Sequence, residues 1–215
     1  MGVVSKLRAA LVMSDDADAS RSNLVCGQTQ QWMSENVEWS SEGAKLDGVS
    51  SKMWLENVEF ANLQQGLTWL VRLKREIGDA PILESYDCTA WSGFGAAFWD
   101  GASRGLFGVR IASSYSSYQT ALETNFFDAN SSVEVGLTSA SVSSRTFFSN
   151  GGFVPPEKGT VIGSYTASVI PNCTSLRLGF QRGDSRMLNG TVQAVAVMND
   201  SMTEAEIRSF FGLVR

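Results

Sequence analysis

Leu67-Thr68-Trp69-Leu70-Val71-Arg72-Leu73-Lys74 places Leu67, Trp69, Val71 and Leu73 at every second position. Successive side chains of a strand point to opposite faces, so this segment reads as a strand with one face buried. Phe107-Gly108-Val109-Arg110-Ile111, Val133-Glu134-Val135-Gly136-Leu137 and Ser175-Leu176-Arg177-Leu178-Gly179-Phe180 repeat the alternation on either side of it. Asp47-Gly48, Asp100-Gly101, Asn150-Gly151 and Asn189-Gly190 supply punctuation. Type I′ hairpin turns favour such pairs because both central residues take positive φ. Short alternating strands with this punctuation predict an all-β chain, two antiparallel sheets packed as a sandwich.

One helix closes the sequence. Thr203-Glu204-Ala205-Glu206 is a capping box: Thr203 caps free amides of the first turn and Glu206 reaches back. Ile207, Phe210 and Phe211 then share a face, and Gly212 stands where a helix stops. The pattern predicts a short C-terminal helix over residues 203–211 that covers a sheet edge or an open end of the sandwich. No Pro-rich, repeated or low-complexity stretch divides the chain, so residues 1–215 read as a single domain.

Composition narrows the chemistry. The 215 residues are 43% hydrophobic and 18% charged, with 20 glycines, which is globular rather than disordered. A chain of this length buries roughly 70% of its extended surface, enough for a core without disulfides or metals. Lys plus Arg is 17 and Asp plus Glu is 22, a net charge of −5. That balance lacks the cationic footprint that displaces counterions from nucleic acid, so no nucleic-acid partner is expected. There is no histidine. The Ser–His–Asp and Cys–His nucleophile systems and the common His-ligated metal sites are thereby excluded. Cys26, Cys88 and Cys173 show no metal-ligand spacing, and their odd number predicts unpaired thiols. Lys6 and Arg8 precede only the short run Ala9-Ala10-Leu11-Val12-Met13, so neither a signal peptide nor membrane insertion is expected.

The last third of the chain resembles the closing pattern of the concanavalin A-like jelly rolls of the laminin-G type. The residues are Ser175-Leu-Arg-Leu-Gly179, Leu188-Asn-Gly-Thr-Val192 running to Met198-Asn199, and Met202-Thr-Glu-Ala-Glu-Ile207. Upstream, Gly43-Ala-Lys-Leu-Asp-Gly48, Gly66-Leu-Thr-Trp-Leu-Val71, Val133 to Thr138 and Thr146-Phe-Phe-Ser-Asn-Gly151 resemble the family's earlier strands in order. Leu11-Val12-Met13 through Asn23 resembles its opening strand and loop. The resemblance implies a two-sheet antiparallel jelly-roll sandwich from about Leu7 to Phe211. The chain departs from the family where an acidic strand residue is replaced by Gln193. The fold hosts lectins, glycosidases and structural modules, so the resemblance does not choose among them.

Glycosidases of this fold carry carboxylates spaced E-x-D-x-x-E, and that spacing is absent. Glu56-Asn57-Val58-Glu59 and Glu204-Ala205-Glu206 are the nearest approaches. No catalytic residues are expected. Aromatics cluster at Trp91-Ser-Gly-Phe94 and Phe98-Trp99-Asp100-Gly101. Apolar sugar faces stack on exposed indoles, so Trp91, Phe94 and Trp99, with Asp100 as acceptor, form the candidate ligand-binding set. Plugging one end of the sandwich is the other reading of these aromatics. Asp100, Asp184 and Asp79 are conceivable calcium ligands, but no spacing resembles a calcium loop, so no cofactor or metal is expected. Val3, Val4 and Leu7 make residues 1–10 a candidate anchoring arm for assembly, with completion of an edge strand as the alternative.

These features predict a non-enzymatic structural or decoration protein of a virus-like particle, a phage capsid or tail, made in a host cytoplasm. Its expected partners are further copies of itself or capsid and tail proteins, with glycan adhesion compatible with that role. The alternative is a carbohydrate-binding, lectin-like module acting outside cells, and a glycoside hydrolase stands third.

Overall fold

The computed structural model describes residues 7–12, 25, 30–58, 66–75, 80–86, 93–100, 105–112, 118–124, 132–141, 144–153, 159–162, 175–180 and 187–213. The chain opens with β1 (Leu7–Val12), β2 (Met33–Glu35), β3 (Glu38–Ser40), β4 (Gly43–Asp47) and β5 (Lys52–Glu56). Next come β6 (Leu67–Arg75), β7 (Ala80–Tyr86), β8 (Gly93–Asp100), β9 (Gly105–Ala112) and β10 (Tyr118–Thr124). It continues through β11 (Ser132–Ser141), β12 (Ser144–Ser149), β13 (Gly152–Phe153), β14 (Gly159–Ile162), β15 (Ser175–Leu178) and β16 (Asn189–Met198), and ends in α1 (Glu204–Leu213).

These strands form two eight-stranded antiparallel sheets. The first runs β13-β12-β11-β6-β16-β4-β3, with β1 beside the second half of β16. The second runs β14-β10-β9-β8-β7-β15-β5-β2. Both sheets feed one core. Leu67, Trp69, Val71 and Leu73 of β6 and Val133, Val135 and Leu137 of β11 meet Met53, Leu55, Leu83, Leu176 and Leu178 from the second sheet. The expected antiparallel sandwich is therefore the observed one.

The far face of the first sheet is covered as well. Leu70, Phe148, Ala196 and Met198 pack against Met202, Ile207 and Phe211 of the closing segment. From Leu67 to Leu73, β6 is thus buried on both faces. The capping box forms as its spacing requires: the Thr203 N–H donates to Glu206 Oε2 at 2.8 Å and the Glu206 N–H to Thr203 Oγ1 at 3.3 Å. The approach to the helix is fixed by a buried relay. The Met202 N–H donates to Thr138 Oγ1 at 2.8 Å, the Thr138 hydroxyl lies 2.9 Å from that of Thr68, and Thr68 donates to the Asp200 carbonyl at 2.6 Å. At the other end of the helix, Arg72 Nη2 donates to the Phe211 carbonyl at 2.5 Å and to Glu134 Oε1 at 2.6 Å. A cation on orphan terminal carbonyls suits the negative end of the helix dipole.

Only one of the Asx-Gly pairs is a two-residue hairpin turn among the described residues. Asn150 (φ 41°) and Gly151 (φ 96°) join Ser149 to Gly152 between β12 and β13. Asn189-Gly190 instead begins β16 opposite Asp47 and Leu46. Asp100 is the last residue of β8 and opposes Gly105, while Gly101 lies outside the described residues. Asp47-Gly48 carries the chain from one sheet to the other. There the Asp47 carboxylate accepts the N–H groups of Val49, Ser50 and Ser51 at 2.8–2.9 Å and the Ser50 hydroxyl at 2.8 Å.

Those donors, the Ser50, Val49 and Ser51 amides foremost, hold the Asp47 carboxyl far below its ordinary 3.8. A depressed folded-state pKa gives stability that is present above the unfolded value and lost as pH falls below it. Asp47→Asn is therefore expected to be less stable than wild type at pH 7, with the gap closing as pH drops beneath about 4. Urea unfolding of both proteins across pH 2.5–7 checks this; a gap independent of pH contradicts it.

Gln193, where the family-like acidic residue is missing, is the extra residue of a bulge in β16. Val192 opposes Leu73 and Ala194 opposes Arg72, leaving Gln193 without an opposite number on β6. The bulge lets Val192, Val195 and Val197 enter the inter-sheet core while Ala196 and Met198 face the helix. The arm expected at the N-terminus is in part a strand. β1 pairs with β16, Leu11 is fully buried, and half-buried Leu7 packs against the cluster under α1. Val3 and Val4 lie outside the described residues, as do Cys26, Cys88 and Cys173.

Candidate functional site

Directly opposed residues of antiparallel strands share a sheet face, so the ladder of the second sheet sorts its positions into an inner and an outer set. Leu178, fully buried, opposes Leu83, which opposes Ala96, which opposes Val109. Leu178 and Leu83 of that row belong to the inter-sheet core. One residue along each strand lies an outer row. Met33 opposes Trp54, Trp54 opposes Arg177, and Arg177 opposes Glu84. Glu84 opposes Gly95, Gly95 opposes Arg110, and Arg110 opposes Gln119.

The described side chains of this row form its aromatic end. Trp54 and Arg177 are half-buried, and Met33 is 37% exposed. The Arg177 guanidinium carbon stands 5.8 Å from the centroid of the Phe180 ring, itself 8% exposed. Stacking on a ring restrains a guanidinium while leaving its in-plane donors to other groups. Lys52 opposes Glu35 and Glu56 opposes Ser175 in the flanking rows of the same face. A tryptophan and an arginine at directly opposed positions set an apolar platform beside a planar cation, and the register places Glu84 opposite that arginine.

Phe94, Trp99 and Asp100 of the aromatic set read from the sequence lie on β8, at register positions of both parities. Phe94 opposes Ser85 and Ile111, and its position shares the parity of Ala96; Asp100 belongs to the same series. Trp99 opposes Leu106 and falls in the outer series with Gly95 and Ala97. Trp91 lies outside the described residues. Of the conceivable calcium ligands, Asp79 and Asp184 also lie outside them, and among the described residues no three acidic or thiol groups are grouped as a metal site. Glu204 pairs with Arg208 and Glu206 with Thr203, so both acids serve the helix. Sequence reading missed Trp54 and Arg177. Their strands, of 5 and 4 residues respectively, are too short to announce an alignment.

No protein-family model matches the chain, and no curated protein matches it. Solved structures do. The botulinum neurotoxin serotype D binding domain superposes with a TM-score of 0.72 at 10% identity, over 97% of this chain and 52% of that one. The binding domain of botulinum neurotoxin DC, solved in complex with rat synaptotagmin II, gives 0.73 at 11% identity, over 100% and 53%. Botulinum neurotoxin type C, whose cell entry is dependent upon interaction with two ganglioside molecules, gives 0.71 at 10% identity, over 99% and 52%. The chain thus spans about half the length of the solved structures it matches. At these identities the likeness establishes the fold.

Proposed function

We propose that this chain is a carbohydrate-binding, lectin-like module that acts without catalysis, and that its ligand lies on the outer face of the second sheet. The observation that carries the reading is the opposed series Trp54, Arg177, Glu84. Sugars present CH-rich faces that stack on indoles and vicinal hydroxyls that planar charged groups grip in pairs. Hydrolysis finds less support. Glycosidases need two carboxylates about 5–9.5 Å apart. The positions opposite Glu84 are Arg177 and Gly95, and those diagonal to it on β15 and β8 are Ser175, Gly93 and Ala97, none of them acidic. The resemblance to binding domains, one of them described through its gangliosides, favours the same reading by analogy of fold alone.

Glycan-array screening followed by calorimetry tests it. Wild type is expected to retain at least one glycan class, and Trp54→Ala to weaken that binding about tenfold while leaving the melting temperature within a few degrees. Trp54→Phe is expected to keep most of the affinity. A wild-type protein that retains no glycan, but sediments with phage particles or with itself, overturns this reading in favour of the capsid or tail role.

A further inference from the structure

We infer that Asn150 is a site of self-modification, at which the folded chain converts its own side-chain amide to aspartate and isoaspartate, and that the isoaspartyl product loosens the hold of β13 on α1. The inference stands apart from the glycan-binding reading.

Asn-Gly occurs twice in the sequence, at Asn150-Gly151 and at Asn189-Gly190. Glycine leaves its own amide nitrogen without a Cβ beside it, so that nitrogen can close on the preceding side-chain amide. The fold treats the two pairs differently. Asn150 is exposed at the tip of the β12–β13 hairpin, and a Cβ at Gly151 would meet nothing within 4 Å. Water and the nucleophilic nitrogen therefore have open access. The Glu134 N–H donates to Asn150 Oδ1 at 3.0 Å. That oxygen is where negative charge gathers when the amide carbon is attacked, so the backbone donor supports the reaction it faces.

The Asn150–Gly151 peptide must turn out of its hairpin geometry (φ 41° and 96°) for the nitrogen to reach Cγ. Little holds it. β13 is two residues long at the edge of the first sheet, paired only through Phe148–Phe153 and Ser149–Gly152. Short exposed edge pairs open locally far more often than the sheet interior. Asn189-Gly190 lies in that interior. Gly190 is buried and stands between Leu46 on β4 and Arg75 on β6, so turning its peptide disrupts pairing on both sides. The Gly48 backbone also packs so close that a Cβ there would stand 2.8 Å from the Asn189 Cβ.

The chemistry balances without an added oxidant or cofactor. The Gly151 nitrogen gives up its proton and bonds to Asn150 Cγ, the Cγ–Nδ2 bond breaks, and ammonia leaves with that proton. Water then opens the five-membered imide. Addition at Cγ restores the chain with aspartate at 150, and addition at the main-chain carbonyl carbon leaves isoaspartate, with the chain running through Cβ and Cγ. The second product lengthens a two-residue turn by one backbone atom. β13 is tied to the helix because the Phe153 amide donates to Glu204, so a distorted turn pulls on that bond.

Peptide mapping by mass spectrometry of the full chain, aged in native buffer and in concentrated urea, tests the inference. In native buffer Asn150 is expected to convert at least about tenfold faster than Asn189, and in urea the two are expected to convert at similar rates. Because the attacking nitrogen must lose its proton, conversion at pH 8.5 is expected to exceed that at pH 6 several-fold. Labelling by an isoaspartyl methyltransferase is expected to grow with age and to vanish from native Asn150→Gln; should that variant not fold, the site-resolved map of wild type decides alone. In the isoaspartyl fraction, amide exchange at Phe153 is expected to quicken at least about threefold. No conversion of native Asn150, equal native rates at the two sites, or aspartate at 150 without isoaspartate overturns the modification. Unchanged exchange at Phe153 overturns its effect on the helix contact.

Discussion

Deletion of residues 203–215 lowers the melting temperature by about 10 °C or more, or leaves the chain unfolded. Ile207 is fully buried and Phe211 is 1% exposed, and each such side chain contributes about 1.5–3 kcal/mol. Their removal also uncovers Leu70, Phe148, Ala196 and Met198 on the sheet beneath. Total stability of a domain is about 5–15 kcal/mol, so the loss is a large fraction of it. Phe211→Ala alone is expected to cost about 3–5 kcal/mol in urea unfolding. Its ring stacks on that of Phe148 with centroids 5.6 Å apart, so Phe211→Leu costs less. An unchanged melting temperature after the deletion makes the helix an appendage and contradicts the packing.

Substituting Arg72 has the next largest effect, because the residue joins three elements. Its guanidinium meets Glu134 on β11 and the Phe211 carbonyl at the end of α1, and its carbon lies 5.4 Å from the centroid of the Phe211 ring. The side chain of Arg72 is 10% exposed and that of Glu134 is 20% exposed. Breaking a fully buried ion pair costs about 3–5 kcal/mol, and partial exposure of the carboxylate brings the expectation for Arg72→Ala to about 2–4 kcal/mol. The double variant Arg72→Met/Glu134→Leu is expected to recover part of that loss, since no charge is then left buried. Denaturant midpoints of the singles and the double form the cycle; a cost below about 1 kcal/mol for Arg72→Ala makes the pair a surface contact in energetic terms.

The alternation in β6 was readable because period two is a local signal, and the capping box because its partners lie three residues apart. The second burial of β6 was not readable in the same way. Leu70 and Thr68 occupy the positions a one-faced strand gives to solvent, and they are covered because the closing segment, more than 130 residues later, lies across them: Asp200 meets Thr68, and Ile207 and Phe211 pack with Leu70. Turn dipeptides misled where the backbone did not supply both positive φ values. At Asp47-Gly48 only Gly48 has one (φ 72°), and Asn189-Gly190 has neither. The candidate face escaped detection for a related reason. Trp54, Arg177, Glu84 and Arg110 come from separate strands, and only the ladder brings them into one row. Trp91, Phe94, Trp99 and Asp100 are close in sequence, yet along a strand closeness in sequence does not give a shared face, because successive positions alternate.

The pairing of β1 with β16 joins Leu7 to Met198 and Val12 to Ala194. A nascent chain emerging at about 5–20 residues per second therefore makes its first strand roughly 10–40 s before that strand's partner exists. During that interval Ala9 and Leu11, which end fully buried, have no native cover from β16. The first sheet can be completed only after synthesis has passed residue 198, so its closure is a late event whatever the speed of local hairpin formation. A rearranged gene that places β16 immediately before β1 would remove that wait and let the two strands meet as neighbours.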